Sequence, residues 1–408
     1  MMKEINYIQP HIPVVFAAND KYAPMLGVTI HSLIKYADSR KQYRLIVLTE
    51  DMSEAHWKRI CNLARENVSI ERVNVFQYMK ERNIKTMGHL SKEASYRLLV
   101  GELFPEYTKV LYLDCDIIIR KDVSVLFDEE LGEYLLGASR GKLFGYTNRY
   151  IKEELRIGTE DYFNSGVLLI NIPQFRKHRI GEMGLKMLEE KTYWCQDQDV
   201  LNILCQDKVK WIDGRWNVEW EHLTPSGEDL ILDKGRKDML TYEKDPYIIH
   251  YTTKYKPWDH PEIDLAEYFW NKAKETVFYE ELLQLGAVNR MMERLAEPTE
   301  AFRRYRFPWK QVKQESSIII YGAGAVGRAF VKQMEITQYC KVICVCDRNA
   351  SAIHDLPLPV ITCEELKNFP EHPILIAIEK ETIAMEIKEE LTAQGIAADR
   401  IIWERYIK

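Results

Sequence analysis

The run Val110-Leu111-Tyr112-Leu113-Asp114-Cys115-Asp116-Ile117-Ile118-Ile119 sets two carboxylates inside an otherwise apolar stretch. In an extended strand, residues two apart point to one face, so Asp114 and Asp116 project together. Paired carboxylates flanked by apolar side chains repel each other and are poorly hydrated, so a positive group belongs between them. A hard divalent cation is the simplest choice, because Mg2+ and Mn2+ take carboxylate oxygens and complete their shell with substrate phosphates. The alternative is a strand that stops at Leu113 and leaves both acids in a solvated turn.

The surrounding chain favours an α/β sheet. Ile12 to Ala18, Arg44 to Thr49 and Val68 to Val75 read as strands, and Ala23 to Tyr36 and Ser53 to Arg65 have helical periodicity. Strand, helix, strand, helix implies a parallel sheet. Ser53 with Glu54 in the first turn supports a helix start there. Lys109 to Ile119 and Tyr162 to Ile172 are two further strands, and Pro173 to Lys191 is a helix.

Composition narrows the function. The 408 residues suit two or three folded units at roughly 100 to 200 residues per domain. The 56 Lys and Arg nearly balance the 62 Asp and Glu, for a net charge of -6, which argues against nucleic-acid binding through a basic surface. Mean hydropathy is -0.33, and no run approaches the roughly 18 uncharged apolar residues that span a bilayer. With no signal-peptide pattern after Met1, a cytoplasmic location is expected. Eight scattered cysteines without a CxxC pair point to neither a disulfide framework nor a structural zinc site.

Four further segments place polar groups at element ends. Phe16-Ala17-Ala18-Asn19-Asp20-Lys21-Tyr22 closes the first strand, at the edge of an open sheet where ligands bind. Phe163-Asn164-Ser165-Gly166-Val167 makes a small polar corner, and Gln196-Asp197-Gln198-Asp199 leads into a helix. His250-Tyr251-Thr252-Thr253-Lys254-Tyr255-Lys256-Pro257-Trp258 ends an apolar run with a histidine and lysines. Structurally, His250 could be a satisfied strand-end residue, Lys256 a solvated loop charge, and Asp197 with Gln198 a helix start.

The order and spacing of these motifs over Ile12 to Trp258 resemble glycosyltransferase family 8, which includes bacterial lipopolysaccharide galactosyltransferases and glucosyltransferases and the glycogenins. The resemblance implies a GT-A nucleotide-sugar-binding fold, a UDP-sugar donor carrying glucose or galactose, Mn2+ (or Mg2+), and retention of anomeric configuration. It casts Asp114 and Asp116 as the metal-binding DxD and His250 as the third ligand. Ala17, Asn19 and Tyr22 resemble the uridine-binding segment, with Tyr22 on the base, and Arg97 resembles an arginine that contacts the donor. Asn164 and Gly166 resemble the sugar-contacting corner, Asp197 and Gln198 the pair beside the donor sugar, and Lys256 the lysine on the diphosphate. One departure is Thr253, where the HxxGxxKPW pattern has glycine.

Past Ser316 the chain repeats an α/β order. Tyr321-Gly322-Ala323-Gly324-Ala325-Val326-Gly327 is a GxGxxG turn between a strand and a helix, and Asp347 follows Gly327 by 20 residues, where a ribose-binding acid belongs. This resembles the small Rossmann-like modules attached to bacterial sugar-nucleotide and glycosyltransferase chains, and makes Gly322, Gly324, Gly327 and Asp347 a possible second nucleotide site, for NAD or another nucleotide. The alternative is a fold-keeping glycine turn without a ligand. The expected division is a transferase domain over 1–262, a helical and basic-aromatic connector over 263–315, and the Rossmann-like domain over 316–408. In the connector, Arg303, Arg304, Arg306, Lys310 and Lys313 interleave with Phe302, Tyr305, Phe307 and Trp309. That pattern suits a peripheral membrane contact, or a linker packing its aromatics on a domain.

The leading expectation is a retaining, metal-dependent hexosyltransferase acting on a glycan, lipid-linked glycan or glycoprotein acceptor. A nucleotide-sugar-binding or scaffold protein with weak or no activity is the alternative that Thr253 motivates. An NAD-dependent oxidoreductase, read from Gly322 to Gly327, is the third.

Overall fold

The computed structural model describes residues 11–87, 91–220, 230–233, 236–253, 255–290 and 305–404. The chain falls into two units, Met1–Ala287 and Val288–Lys408.

In the first unit, β1 (Ile12–Ala17), β2 (Tyr43–Thr49) and β3 (Val68–Asn74) run parallel, joined by α1 (Ala23–Tyr36) and α2 (Glu54–Cys61). Pro24 sits in the first turn of α1, where an amide would have no intrahelical partner. The Ser53 hydroxyl accepts from the His56 amide at 3.3 Å and starts α2. β4 (Lys109–Leu113) lies on the other side of β1, also parallel, so the winding reverses between β1 and β4. β6 (Leu136–Ala138), β7 (Val167–Asn171) and β8 (Val209–Trp211) complete the sheet in the order β3-β2-β1-β4-β7-β6-β8. Alternate residues of the central strands feed two cores. Val14, Phe16, Leu111 and Leu113 enter one, and Val15, Val110 and Tyr112 the other. Both faces are therefore covered, as a largely parallel sheet requires.

The strands from Ile12 to Val75 pair in parallel, as their order implies, and β7, antiparallel to both β4 and β6, makes the sheet as a whole mixed. Two sequence expectations are corrected here. Lys109 to Ile119 is not one strand: the chain leaves the sheet at Leu113 and resumes as β5 (Ile117–Ile119) in a second sheet, β5-β10-β9, with β9 (Val218–Glu219) and β10 (Ile248–His250). The break is fixed by Thr29 of α1, whose hydroxyl reaches the carbonyls of Cys115 and Ile117 at 2.8 and 2.9 Å. Pro173 to Lys191 divides into Ile172–Lys177 and α3 (Ile180–Glu190), separated by Arg179 in the left-handed region at φ 52°. α4 (Asp197–Leu204) follows.

The connector over 263–315 is not a separate body among the described residues. α5 (Ala266–Ala273) and the helical residues after it place Phe269, Ala273, Phe278 and Leu282 in the first unit's core. At the other end, Tyr305 and Phe307 are buried in the second unit, where Phe307 packs on Phe330 at 5.3 Å and Trp309 on Tyr339 at 5.0 Å. Tyr305 and Phe307 are core residues and Trp309 packs against that core, so these aromatics are turned to the domain and not to a membrane; Phe302, Arg303 and Arg304 lie outside the described residues. No helix among the described residues is long and apolar enough to cross a membrane.

The second unit is a five-stranded parallel sheet, with β11 (Ser317–Tyr321), β12 (Lys341–Cys346), β13 (Val360–Ile361), β14 (Ile374–Ile376) and β15 (Ile401–Ile402) in the order β13-β12-β11-β14-β15. α6 (Ala325–Thr337) follows the glycine turn, and α7 (Glu381–Ala393) joins β14 to β15. β13 and β15 span two residues each, too short to show a period in sequence.

Candidate active site

The carboxyl ends of β1 and β4 lie side by side where the winding reverses, the place where open α/β sheets bind ligands. A cavity of about 490 Å³ opens there. Its wall holds Ala17, Asn19, Tyr22, Arg97, Asp114, Asp116, Asn164, Asp197, Gln198, His250 and Lys256, so segments far apart in sequence meet in one place. Asn19 caps the short turn leading to Tyr22, its Oδ1 accepting from the Tyr22 amide at 3.1 Å. Tyr22 stands edge-on to Trp258 at 6.2 Å.

Asp114, Asp116 and His250 each offer one ligand atom, all within 4.8 Å of one another. The strand does end at Leu113, but the two acids are mostly covered, with side chains 23% and 16% exposed, because β10 lays His250 across the turn. His250 Nε2 lies 3.3 Å from Asp116 and 3.7 Å from Asp114. Its Nδ1 meets Asn217 Oδ1 at 2.8 Å, while the Asn217 amide donates to Asn164 Oδ1 at 2.8 Å. Asn217 thus presents its oxygen to the ring, which sets a proton on Nδ1 and turns Nε2 toward the carboxylates. Two carboxylates and an imidazole Nε2 converging in this way fit a divalent cation. Gly166 makes room for them: a Cβ there would come within 2.1 Å of His250 Cε1 and 2.8 Å of Asp114 Oδ2. It lies behind the imidazole and does not line the cavity.

The charges around this trio are fixed by burial and pairing. Lys256 Nζ donates to Asp116 at 2.6 Å and also to the Tyr251 carbonyl. Burial would raise the Asp116 pKa, but the neighbouring charges, the Lys256 ammonium first among them, outweigh it and hold the carboxyl well below the usual range. Arg97 is buried, with Nη2 on Asp114 at 2.9 Å and Nε on Asp197 at 2.8 Å, and it also reaches the Ser165 carbonyl and hydroxyl. Its guanidinium therefore ties the DxD to the start of α4. Burial pushes Asp197 up to about 7 against the pull of Arg97, and the Asp114 charge adds to the rise. Gln198 Oε1 accepts from the Ser165 amide at 3.1 Å, and its Nε2 donates to the Tyr162 hydroxyl at 2.9 Å.

Residues 13–261 match the family model described as glycosyl transferase family 8. The chain belongs to glycosyltransferase family 8. General stress protein A of Bacillus subtilis (strain 168) is 30% identical over 271 residues, covering 63% of this chain and 91% of that protein. The lipopolysaccharide 1,3-galactosyltransferase of Salmonella typhimurium is 25% identical over 239 residues, 57% of this chain and 68% of that one. Among solved structures, the galactosyltransferase LgtC in complex with donor and acceptor sugar analogues aligns with a TM-score of 0.52 at 29% identity, over 65% of this chain and 96% of that chain. The bifunctional glycosyltransferase WbbM aligns at 0.59 with 26% identity over 68% of this chain, which spans about half (52%) of the WbbM chain. The first unit has the GT-A fold of these glycosyltransferase neighbours.

Thr253, the departure from the family 8 pattern, does not lie in the left-handed region where glycine would be required. Its hydroxyl accepts from the Tyr255 amide at 3.1 Å and closes the local turn. Sequence reasoning missed several residues of the site. Asp199 was visible in the Gln196–Asp199 run, but Asn217, Glu219 and the aromatic wall of Tyr146, Tyr150 and Trp194 carry no local motif. Asn217 comes to His250 only through the pairing of β9 with β10.

The glycine turn of the second unit lies beyond the family 8 match. Gly322 has φ 109°, and a Cβ on Gly327 would stand 1.9 Å from the Gly322 carbonyl, so turn geometry and close packing account for both. A Cβ on Gly324 would meet nothing within 4 Å. Asp347 accepts from the Ala323 amide at 2.7 Å and the Asn349 amide at 2.9 Å, so its carboxylate braces the turn itself.

Proposed function

We propose that this family 8 chain transfers a hexose, glucose or galactose, from a UDP-sugar to a glycan, lipid-linked glycan or glycoprotein, with retention and with Mn2+ or Mg2+ held by Asp114, Asp116 and His250. The observation that carries the reading is the orientation of His250, whose Nε2 faces both carboxylates at the reversal point of the sheet. A cation bound there would neutralise the charge that develops on the departing diphosphate. The protein supplies the rest. Lys256 adds a second positive charge at the same place, and Asn19 and Tyr22 stand at the end of β1 where a base would lie. Arg97 locks Asp197 and Asp114 in one geometry.

Retention is assigned to front-face attack within an ion pair. Asp197 is turned by contacts of its Oδ2 with Arg97 and, at 3.3 Å, the Ser165 hydroxyl, and the Gln198 oxygen is a weakly nucleophilic amide oxygen already occupied by the Ser165 amide. A glycosyl adduct trapped on either residue would overturn that assignment. The proposal as a whole is tested by UDP release from a panel of UDP-sugars with Mn2+. One UDP-hexose should support turnover, and Asp114→Asn should reduce it by about a hundredfold or more, the range for losing a preorganised charge-stabilising group. Equal turnover in the variant would contradict it.

For the second unit we propose no more than a nucleotide phosphate at the Gly322–Gly327 turn, because the fold does not account for Gly324. Titration of the full chain with NAD and with UDP, against Gly324→Asp, tests this. Identical isotherms for both proteins would remove it.

A further inference from the structure

The cavity extends past the Asp–Asp–His trio to a wall of aromatic rings that the proposed donor chemistry does not use. Trp194 and Tyr146 are 45% and 41% exposed, although both line the cavity. Single exposed aromatics are ordinary, but two side by side in a cavity wall form a contact patch. Trp194 is also held in place by its neighbours. The Trp194 indole stacks on the Tyr150 ring with centroids 4.0 Å apart and planes 5° from parallel, and its amide donates to the Tyr150 hydroxyl at 3.2 Å. One face of the indole is therefore covered, and the other is left open, with Tyr146 tilted beside it at 6.5 Å.

The wall is also held in register with the reacting end of the cavity. Tyr150 donates its hydroxyl proton to Asp199 Oδ2 at 2.8 Å, and Tyr162 donates to Asp199 Oδ1 at 2.6 Å. Tyr162 in turn accepts from Gln198 Nε2 at 2.9 Å. A single buried carboxylate thus orients both the stacked pair and the residue next to Asp197, so a molecule lying on Trp194 is held at a set position relative to α4.

We infer that the open face of Trp194, with Tyr146, is the docking platform for the acceptor, and that the acceptor presents a terminal hexopyranose there. A pyranose ring has a face of C–H bonds that packs on the electron-rich face of an aromatic ring while its hydroxyls stay at the rim. A ring already immobilised by stacking pays little ordering cost on binding. Continuity with the transfer site selects a sugar acceptor over an unrelated ligand. The inference rests on the donor reading above.

The test uses the full chain with Mn2+, the UDP-hexose that supports turnover, and methyl α- and β-glucopyranosides and galactopyranosides as acceptor probes. At least one glycoside should accelerate UDP release saturably. Trp194→Ala should then raise the KM for that glycoside about tenfold or more, with a smaller change in kcat, and Trp194→Phe should stay within about threefold of wild type; tenfold corresponds to about 1.4 kcal/mol. Tyr146→Ala, at an exposed position, repeats the test if Trp194→Ala fails to fold. UDP binding by calorimetry should match wild type in each variant. Unchanged KM values in both alanine variants would overturn the inference, as would acceleration by alkyl alcohols and by no glycoside. Absence of UDP release from wild type with every donor would remove the donor reading and this inference with it, a result distinct from donor turnover that ignores Trp194.

Discussion

Asn217 decides what His250 can do. Its amide nitrogen is committed to Asn164, so its oxygen faces Nδ1 and turns Nε2 toward the carboxylates. Replacing it with alanine frees the ring to rotate or to protonate beside two acids. Asn217→Ala should lower Mn2+ affinity by about 10- to 100-fold, the usual cost of losing a partner that orients a ligating histidine. Calorimetric titration with Mn2+ measures this, and unchanged affinity would show that the tautomer is held by something else. The ligand trio itself was legible in sequence, since Asp114, Asp116 and His250 each sit in a local motif. Asn217 was not, because nothing in Trp216-Asn217-Val218 marks it until β9 pairs with β10. Gly166 was read as a sugar contact, yet the space it leaves for the His250 ring is a tertiary fact that no local pattern records.

Elements show a similar split. The strands and helices from Ile12 to Val75 follow hydrophobic period, and the structure places them accordingly. Period could not reveal the break in Lys109 to Ile119, because Ile117 to Ile119 is as apolar as Val110 to Leu113. The bonds from Thr29, more than 80 residues away, turn the chain into the second sheet. α2 carries a testable electrostatic link to the turn from Asn19 to Tyr22 at the end of β1. His56 Nδ1 meets Asp20 at 2.8 Å, and its Nε2 meets Glu281 at 2.9 Å. Burial would lower the His56 pKa, but the hydrogen bonds to Asp20 and Glu281 outweigh it and raise it; burial likewise opposes, without preventing, the lowering of both acids. The histidine contribution is complete below its unfolded pKa, about 6.5, and is lost as pH rises through the raised folded value. The acids contribute fully above about 4.3 and lose that as pH falls through their lowered values. Thermal stability of wild type relative to His56→Gln should therefore be greatest between about pH 4.5 and 6.5 and narrow on either side. A pH-independent difference in Tm would contradict the link.

Across the whole molecule, the family 8 match and the proposed catalytic groups lie within residues 13–261, and the first core closes with Phe269, Phe278 and Leu282. The second unit has its own cores around Ile318, Phe330 and Ile376. A chain ending at residue 290 should fold and retain UDP-sugar turnover within about threefold, whereas one ending at 262 should be destabilised by several kcal/mol, because it removes three buried aliphatic or aromatic side chains worth about 1.5–3 kcal/mol each. Equal thermal stability of the two truncations would contradict that boundary. Composition suggested a connector over 263–315 because helical and basic residues cluster there; it could not show that each end is buried in a different core. The central claim is that the Asp114, Asp116 and His250 cluster works through a divalent cation. UDP release from the preferred UDP-hexose, followed before chelation, after chelation with EDTA and after Mn2+ is restored, tests this most directly. The account predicts that activity disappears on chelation and returns with Mn2+; full activity in the chelated enzyme would contradict it.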